Sequence, residues 1–168
     1  MAAAGDNPDV IAPPPLLFLG TLAVGAALDF GAIRVSTGLP GWLRLGAGAV
    51  LAAAALGLAA GAVSRFRRAG TAVEPWRPST ALVTDGVYRF TRNPIYVAMT
   101  FLYLGLALAM DSAVALVLLP PLLVLMRIGV VSREERYLER KFGDDYRRYR
   151  ASVPRWLQGG RPSGRRRR

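Results

Sequence analysis

The sequence contains no cysteine and no histidine among its 168 residues. Without cysteine there is no disulfide and no thiol nucleophile, and without either residue there is no Cys/His zinc site. The absence of histidine also removes the imidazole base that many enzymes use near neutral pH. We therefore predict no metal site, and any catalysis must depend on carboxylates, arginine, tyrosine and a bound cofactor.

Charged residues are almost missing from three long stretches, Leu16–Ile33, Leu45–Val63 and Ile95–Val131. The first two have the length of a membrane span. The third would run about 55 Å as one helix, which a hydrocarbon core of about 30 Å cannot hold. It must fold back, and Met110–Ser112 is the expected turn. The sequence predicts an all-α membrane bundle of about four transmembrane helices, with a C-terminal helical hairpin followed by amphipathic tail helices.

Several residues predict local helix structure. Gly57 and Gly61 form a small-xxx-small pair, which either admits a neighbouring helix or reflects only the alanine-rich composition. Asn93 is expected to cap the third span, with Pro94 in its first turn. Ser132 is expected to start the tail helix, with Glu135 completing a capping box.

Further along the tail, Gly143 is expected to end that helix. Four apolar or aromatic side chains recur at helical spacing along the tail, and this spacing predicts that they pack against the protein rather than contact a ligand. They are Leu138, Phe142, Tyr146 and Tyr149.

Basic residues are concentrated in the segment 65–92 and in the tail from Arg133 onward. By the positive-inside rule, both segments and the N-terminus are predicted to lie in the cytoplasm. The alanine, glycine and arginine bias suggests a bacterial source and hence the inner membrane. We predict one membrane-embedded domain over 1–158 and a basic, disordered tail over 159–168.

Two charged segments flank the predicted hairpin. Arg92 lies beside the N-terminus of the third span, where the helix dipole favours an anion, although it could equally be a positive-inside anchor. Glu134 and Glu135 point about 100° apart on a helix, so one can cap while the other faces inward. An inward carboxylate needs a cation, and either Arg92 or a cationic ligand could supply it.

The two segments also match a known pattern. The first, G-x-Y-x-x-x-R-[HN]-P-x-Y, is matched at Gly86, Tyr88, Arg92, Asn93, Pro94 and Tyr96. The second, a Glu-Glu pair followed by Phe-Gly and spaced tyrosines, is matched at Glu134, Glu135, Phe142, Gly143, Tyr146 and Tyr149. From about Gly70 to Trp156 the chain resembles the membrane methyltransferase superfamily that includes isoprenylcysteine carboxyl methyltransferases and phospholipid N-methyltransferases. Many relatives carry histidine at position 93, and asparagine cannot transfer a proton.

The resemblance implies S-adenosylmethionine as cofactor and a lipophilic small molecule or lipid as methyl acceptor at the cytoplasmic membrane surface, with no nucleic acid partner. The cofactor-binding residues that it implies are Tyr88, Arg92, Asn93, Pro94, Tyr96, Glu134 and Glu135. Among these, Arg92 and Glu135 are the expected catalytic residues. A carboxylate acceptor is slightly favoured, because an amine would first have to lose a proton and the chain has no histidine to accept it.

Two other functions are open to this sequence. One is a membrane reductase resembling the steroid-reductase branch and using NADPH, but that branch typically has a glutamate shortly after its tyrosine and RNPIYVAM has none. The other is a non-catalytic protein whose basic tail, ending in Arg165–Arg168, binds anionic lipid.

Overall fold

A computed structural model describes residues 6–33 and 35–157. Within these ranges the chain is helical and contains no β-strand, which confirms the predicted all-α class. The helices are α1 (Pro14–Leu28, continued by a π-helical turn, Asp29–Ile33), α2 (Gly41–Arg68), a 3₁₀ turn (Gly86–Arg89), α3 (Pro94–Ala109), α4 (Ala113–Met126, continued by a π-helical turn, Arg127–Val131) and α5 (Ser132–Ser152).

Three of the described helical stretches are long and apolar enough to cross a membrane: Pro14–Ile33, Gly41–Arg68 and the continuous helix Ala113–Ser152. The apolar part of the last one ends at Val131; α5 is charged along its length and lies outside the spanning part. Helix α3 is apolar but shorter, at 16 residues. The result is the predicted helical membrane bundle.

Helix α3 lies at the centre of this bundle. It packs most extensively against α2 and also contacts α1 and α4, while α1 packs on α4. The α2–α3 contact is close because Gly48 and Gly105 face each other: a Cβ added to either would lie 2.8 Å from the carbonyl oxygen of the other. Of the two alternatives for Gly57 and Gly61, the structure does not show a closely approaching helix: a Cβ added to Gly57 would meet nothing within 4 Å, and one added to Gly61 would meet only the Val87 side chain.

The predicted turn at Met110–Ser112 is confirmed. Asp111 adopts a positive φ of 58°, and Ser112 caps α4 by accepting a hydrogen bond from the Ala115 amide at 3.2 Å. The Ser112 hydroxyl also donates to the buried carboxylate of Asp29, which accepts a second bond from the Val114 amide at 3.0 Å. The end of α1 is thereby tied to the start of α4.

The predicted capping box at Ser132 and Glu135 is not formed. Helix α4 runs through the π-helical turn into α5, so Ser132 has helical dihedral angles and its amide donates to the preceding turn. No free helix N-terminus exists there for a side chain to cap. The helix break at Gly143 is confirmed, since this residue adopts φ 54° and ψ −123° within α5.

Different segments of the chain lie at the two ends of the bundle. One, the cavity end, contains the start of α1, the segment between α2 and α3, and α5; the other, the far end, contains the α1–α2 loop and the α3–α4 turn. The basic tail predicted over 159–168 lies outside the described residues.

Candidate active site

A cavity opens at the cavity end, with about 1070 Å³ of empty space including its mouth. Most of its wall is apolar, and the charged residues that line it are Glu74, Arg92, Glu134 and Glu135. All seven residues predicted to bind a cofactor line it: Tyr88, Arg92, Asn93, Pro94, Tyr96, Glu134 and Glu135.

The 3₁₀ turn before α3 places Tyr88 in the cavity wall. Gly86 starts this turn with φ 59°, and the side chain of Arg65 lies where a Cβ at Gly86 would stand. The ring of Tyr88 is buried and packs edge-to-face on Phe66, with 5.5 Å between the ring centroids. The Tyr149 hydroxyl donates to the Tyr88 carbonyl at 2.8 Å, which fixes the turn against α5.

Asn93 occupies the N-cap position of α3 but does not cap it with its side chain. Its amide Nδ2 donates instead to the carbonyl oxygen of Arg155 at 2.9 Å. The predicted side-chain cap is therefore wrong, because the amide is used to hold a distant segment of the chain. Two further bonds join the same segments: Thr91 Oγ1 donates to the Arg155 carbonyl at 2.9 Å, and the Arg92 amide donates to the Pro154 carbonyl at 3.0 Å.

Arg92 and Glu135 form a buried ion pair, with 3.0 Å between Arg92 Nη1 and Glu135 Oε1 and side chains only 10% and 9% exposed. Arg155 binds the same carboxylate in a two-pronged geometry, its Nε lying 3.0 Å from Oε1 and its Nη2 contacting Oε2. Both oxygens of Glu135 are thus engaged. By contrast, the buried Arg92 Nε has no acceptor among the described residues.

Glu134 faces a different partner. The Tyr96 hydroxyl donates to its Oε2 at 2.9 Å. Burial raises the pKa of Glu134 to about 7; the hydrogen bond from Tyr96 opposes the rise and the neighbouring charge of Glu135 adds to it. No described cation pairs with this carboxylate, so it can accept a hydrogen bond or a proton from a ligand.

The tyrosines of the site serve as neutral groups. Burial raises the pKa of Tyr88 far above its ordinary value and raises that of Tyr146 to about 12. Tyr146 accepts a long hydrogen bond of 3.4 Å from Arg92 Nη1. Tyr146 and Tyr149 belong to a packed cluster, together with Ala62, Val83, Tyr88 and Val153, as predicted. They also line the cavity, so packing does not exclude contact with a ligand.

Sequence reasoning missed three parts of this site. Arg155 follows the last helix in the run VPRW, and no local pattern indicates that it reaches a glutamate 20 residues earlier. Pro8, Pro14 and Pro15 also line the cavity, as does most of the segment 72–83. The N-terminal segment is held there by long-range bonds, including an ion pair of 2.7 Å between Asp6 and Lys141.

The chain is similar to known proteins over part of its length. The model of the phospholipid methyltransferase family matches residues 43–145, more than half of the chain. The protein-S-isoprenylcysteine O-methyltransferase of Schizosaccharomyces pombe is 37% identical over 73 residues, which cover 44% of this chain and 31% of that protein. An uncharacterized protein of Haemophilus influenzae is 67% identical over 27 residues, which cover 16% of this chain and 43% of that one. No solved structure matches the chain significantly.

This helical membrane protein, with one motif over Gly86–Tyr96 and the other over Glu134–Tyr149, is a member of the membrane methyltransferase superfamily. The chain belongs to the phospholipid methyltransferase family, which confirms the resemblance found in the two motifs. The aligned part spans about a third to two fifths of the curated relatives.

Proposed function

We propose that this protein transfers a methyl group from S-adenosylmethionine to a lipophilic acceptor at the membrane surface. The observation that carries the proposal is that two charged groups in the cavity wall, Arg92 with its buried Nε and the half-buried Glu134, keep hydrogen-bonding capacity that the described chain does not use. Charged groups in a cleft whose hydrogen-bonding capacity the protein does not use are typical of ligand-binding sites.

The available groups suit this cofactor. The carboxylate of the cofactor matches the guanidinium of Arg92, whose buried Nε has no acceptor within the described part of the chain. Its amino group or ribose hydroxyls match the carboxylate of Glu134. Tyr88 and Tyr96 add aromatic surface to the wall, and Asn93 and Pro94 form the backbone step at the start of α3. We assign all of these residues to cofactor binding.

Both oxygens of Glu135 are held by arginines, so we assign it the role of orienting Arg92 rather than of contacting the cofactor through a free oxygen. The cofactor, when bound, supplies a methyl group already activated by its sulfonium. The chain therefore has to align the acceptor and exclude water, which an enclosed, mostly apolar cavity does.

The apolar wall, with Phe66, Leu82 and Met99, favours a lipophilic acceptor. A carboxylate acceptor fits the residue set best, because it is already ionised at neutral pH and needs no base. An amine acceptor is the second candidate. The observation that favours it is Glu134, whose raised pKa would let it take the amine proton near pH 7.

Calorimetric titration of the purified protein with S-adenosylmethionine and, separately, with NADPH tests the cofactor. Binding of the first alone is expected, and binding of NADPH alone would favour the reductase. The acceptor atom is tested by labelling membrane lipids with radioactive S-adenosylmethionine. Mild alkali would release the label as methanol from a methyl ester and would leave an N-methyl group intact.

We also propose that the cavity end faces the cytoplasm of a bacterial inner membrane, because the arginine-rich segments are at that end. Reporter fusions after Arg68, Asp111 and Trp156 should report cytoplasm, periplasm and cytoplasm, respectively. A periplasmic signal at Trp156 would rule out this orientation.

A further inference from the structure

We infer that Arg155 is a positioning residue of this site: by holding both oxygens of Glu135, it keeps Arg92 available for the anionic end of a ligand. The inference rests on the proposed function, because it concerns the same cavity. Neither of the two motifs that revealed the site contains Arg155.

The first step of the argument is the division of hydrogen bonds around Glu135. Arg155 uses two nitrogens on the two carboxylate oxygens, whereas Arg92 uses one nitrogen on Oε1. A guanidinium and a carboxylate that meet alone tend to form two parallel bonds. A second bond from Arg92 would need Oε2, the oxygen that Nη2 of Arg155 contacts. Among the described residues, the Nε of Arg92 has no acceptor.

The second step is the charge of the three groups. Two guanidiniums and one carboxylate leave the cluster with a formal charge of +1. Removing the charge of Arg155 would leave a neutral Arg92–Glu135 pair, 10% and 9% exposed, with little attraction for an anion. Arg155 is itself 28% exposed at its side chain, so it can carry charge beside Glu135 at a lower desolvation cost than a fully buried arginine.

The third step is that the chain fixes Arg155 in place. Its carbonyl oxygen accepts hydrogen bonds from Thr91 Oγ1 and Asn93 Nδ2, both at 2.9 Å, and the preceding carbonyl accepts from the Arg92 amide. The segment that carries Arg155 is therefore bonded to the segment that carries Arg92. Asn93, for which sequence reasoning expected a helix cap, supplies one of these bonds.

The test compares ligand affinity in four forms of the full-length protein by calorimetric titration. Arg155→Gln should bind S-adenosylmethionine at least tenfold more weakly than the parent, with an unchanged stoichiometry. Arg155→Lys should lose less, because it keeps the charge but not the two-pronged geometry. Arg150→Gln is the matched control, since Arg150 pairs with Glu139 on the exposed surface of α5 and should bind like the parent.

Two further measurements separate positioning from a purely structural role. Adding Glu135→Gln to Arg155→Gln restores the formal charge of +1 and should recover part of the lost affinity. Methylthioadenosine, which lacks the amino and carboxyl groups of the cofactor, should bind parent and Arg155→Gln equally well. A structural defect would instead lower the stoichiometry, or weaken both ligands, and the second substitution would not reverse it.

The outcomes distinguish the two proposals. A parent protein that binds no S-adenosylmethionine would refute the proposed function, and this inference with it. The role of Arg155 alone would be refuted if the parent binds S-adenosylmethionine and Arg155→Gln binds it equally well. It would also be refuted if Arg155→Gln binds with a lower stoichiometry but with the affinity of the parent.

Discussion

The two ends of the helical bundle use similar polar groups in opposite ways. At the far end, the Asp111 carboxylate accepts hydrogen bonds from the Ser36 hydroxyl and from the amide and hydroxyl of Thr37, at 2.6–2.9 Å. These bonds, together with the charge of Arg44, lower the pKa of Asp111 to about 2. At the cavity end, burial raises the pKa of Glu134 to about 7, and no described residue accepts a hydrogen bond from Arg92 Nε.

This difference separates polar groups that serve the fold from polar groups that await a ligand. An unsatisfied atom alone does not make the distinction, because buried Asp29 Oδ1 at the far end also has no partner among the described residues; Arg92 and Glu134 differ in that they line the cavity. The carboxylate of Asp111 joins two loops and stays ionised under ordinary conditions. The buried Nε of Arg92 makes the isolated fold less stable than a paired group would, since a buried, unsatisfied polar group costs about 1–3 kcal/mol. Glu134 is held by Tyr96 alone and has no cation beside it among the described residues. We therefore expect substitutions at the cavity end to change binding, and substitutions at the far end to change stability alone.

The largest effect is expected from Glu134→Gln. The amide keeps the shape of the side chain and can still accept the hydrogen bond from Tyr96, but it loses the charge that attracts the cofactor's amino group. Cofactor affinity should fall by about 1.5–3 kcal/mol, the usual range for a hydrogen bond to a charged group. Calorimetric titration measures it, with Glu139→Gln, on the exposed face of α5, as the control. Unchanged affinity in Glu134→Gln would contradict the assignment of this carboxylate.

Arg92→Lys should have the next largest effect. Lysine preserves the charge, which is all that membrane orientation requires, but not the planar fork of donors. Insertion and folding should be normal, while cofactor affinity should fall about tenfold, or about 1.4 kcal/mol. Arg89→Lys, on the exposed side of the same segment, is the control. If both variants bind like the parent, Arg92 is a membrane anchor and not a ligand-binding residue.

The fold was largely predictable because membrane helices are specified by local hydrophobicity. The unbroken apolar run Ile95–Val131 exceeds the thickness of a bilayer, so a turn was required, and Asp111 and Ser112 were the only adjacent polar residues within it. The continuity of α4 and α5 was not predictable in this way. Ser132 resembles a helix cap in sequence, but whether a new helix starts there depends on the π-helical turn before it.

The site was predictable as a set of residues but not as a network of contacts. The two motifs identify Tyr88, Arg92, Glu134 and others that share one cavity. Which glutamate pairs with Arg92 could not be decided from adjacent positions on a helix, because it depends on the rotation of α5 against α3. Arg155 was missed because its contact with Glu135 depends on the path of the chain after α5 ends.

Cofactor binding should also depend on pH, by several-fold between about pH 6 and 8. Ionisation of Glu134, with its pKa raised to about 7, supplies the charge for the cofactor's amino group, so affinity should rise with pH. The ligand-free protein should behave in the opposite way. The fold favours the protonated form of the Glu134 carboxyl, whose ordinary pKa is 4.5 and whose pKa in the folded protein is about 7. The free energy of unfolding should therefore fall as the pH rises from about 4.5 through about 7. Titrations across this range should show a flat profile in Glu134→Gln; a sloping one would assign the pH dependence to another group.

The smallest effect on binding is expected from a substitution that strongly affects the fold, Ser112→Ala. This change removes the cap of α4, worth about 1 kcal/mol, and one of the two hydrogen bonds to the buried Asp29 carboxylate. Unfolding by denaturant in detergent micelles should show a loss of about 1–3 kcal/mol. Ser36→Ala, which removes an exposed bond at the same end, should lose much less. Both variants should bind S-adenosylmethionine with the affinity of the parent, because neither residue contacts α5 or the segment before α3. Weaker binding in Ser112→Ala at full stoichiometry would mean that the two ends are coupled through α4, and the division of roles between them would then be wrong.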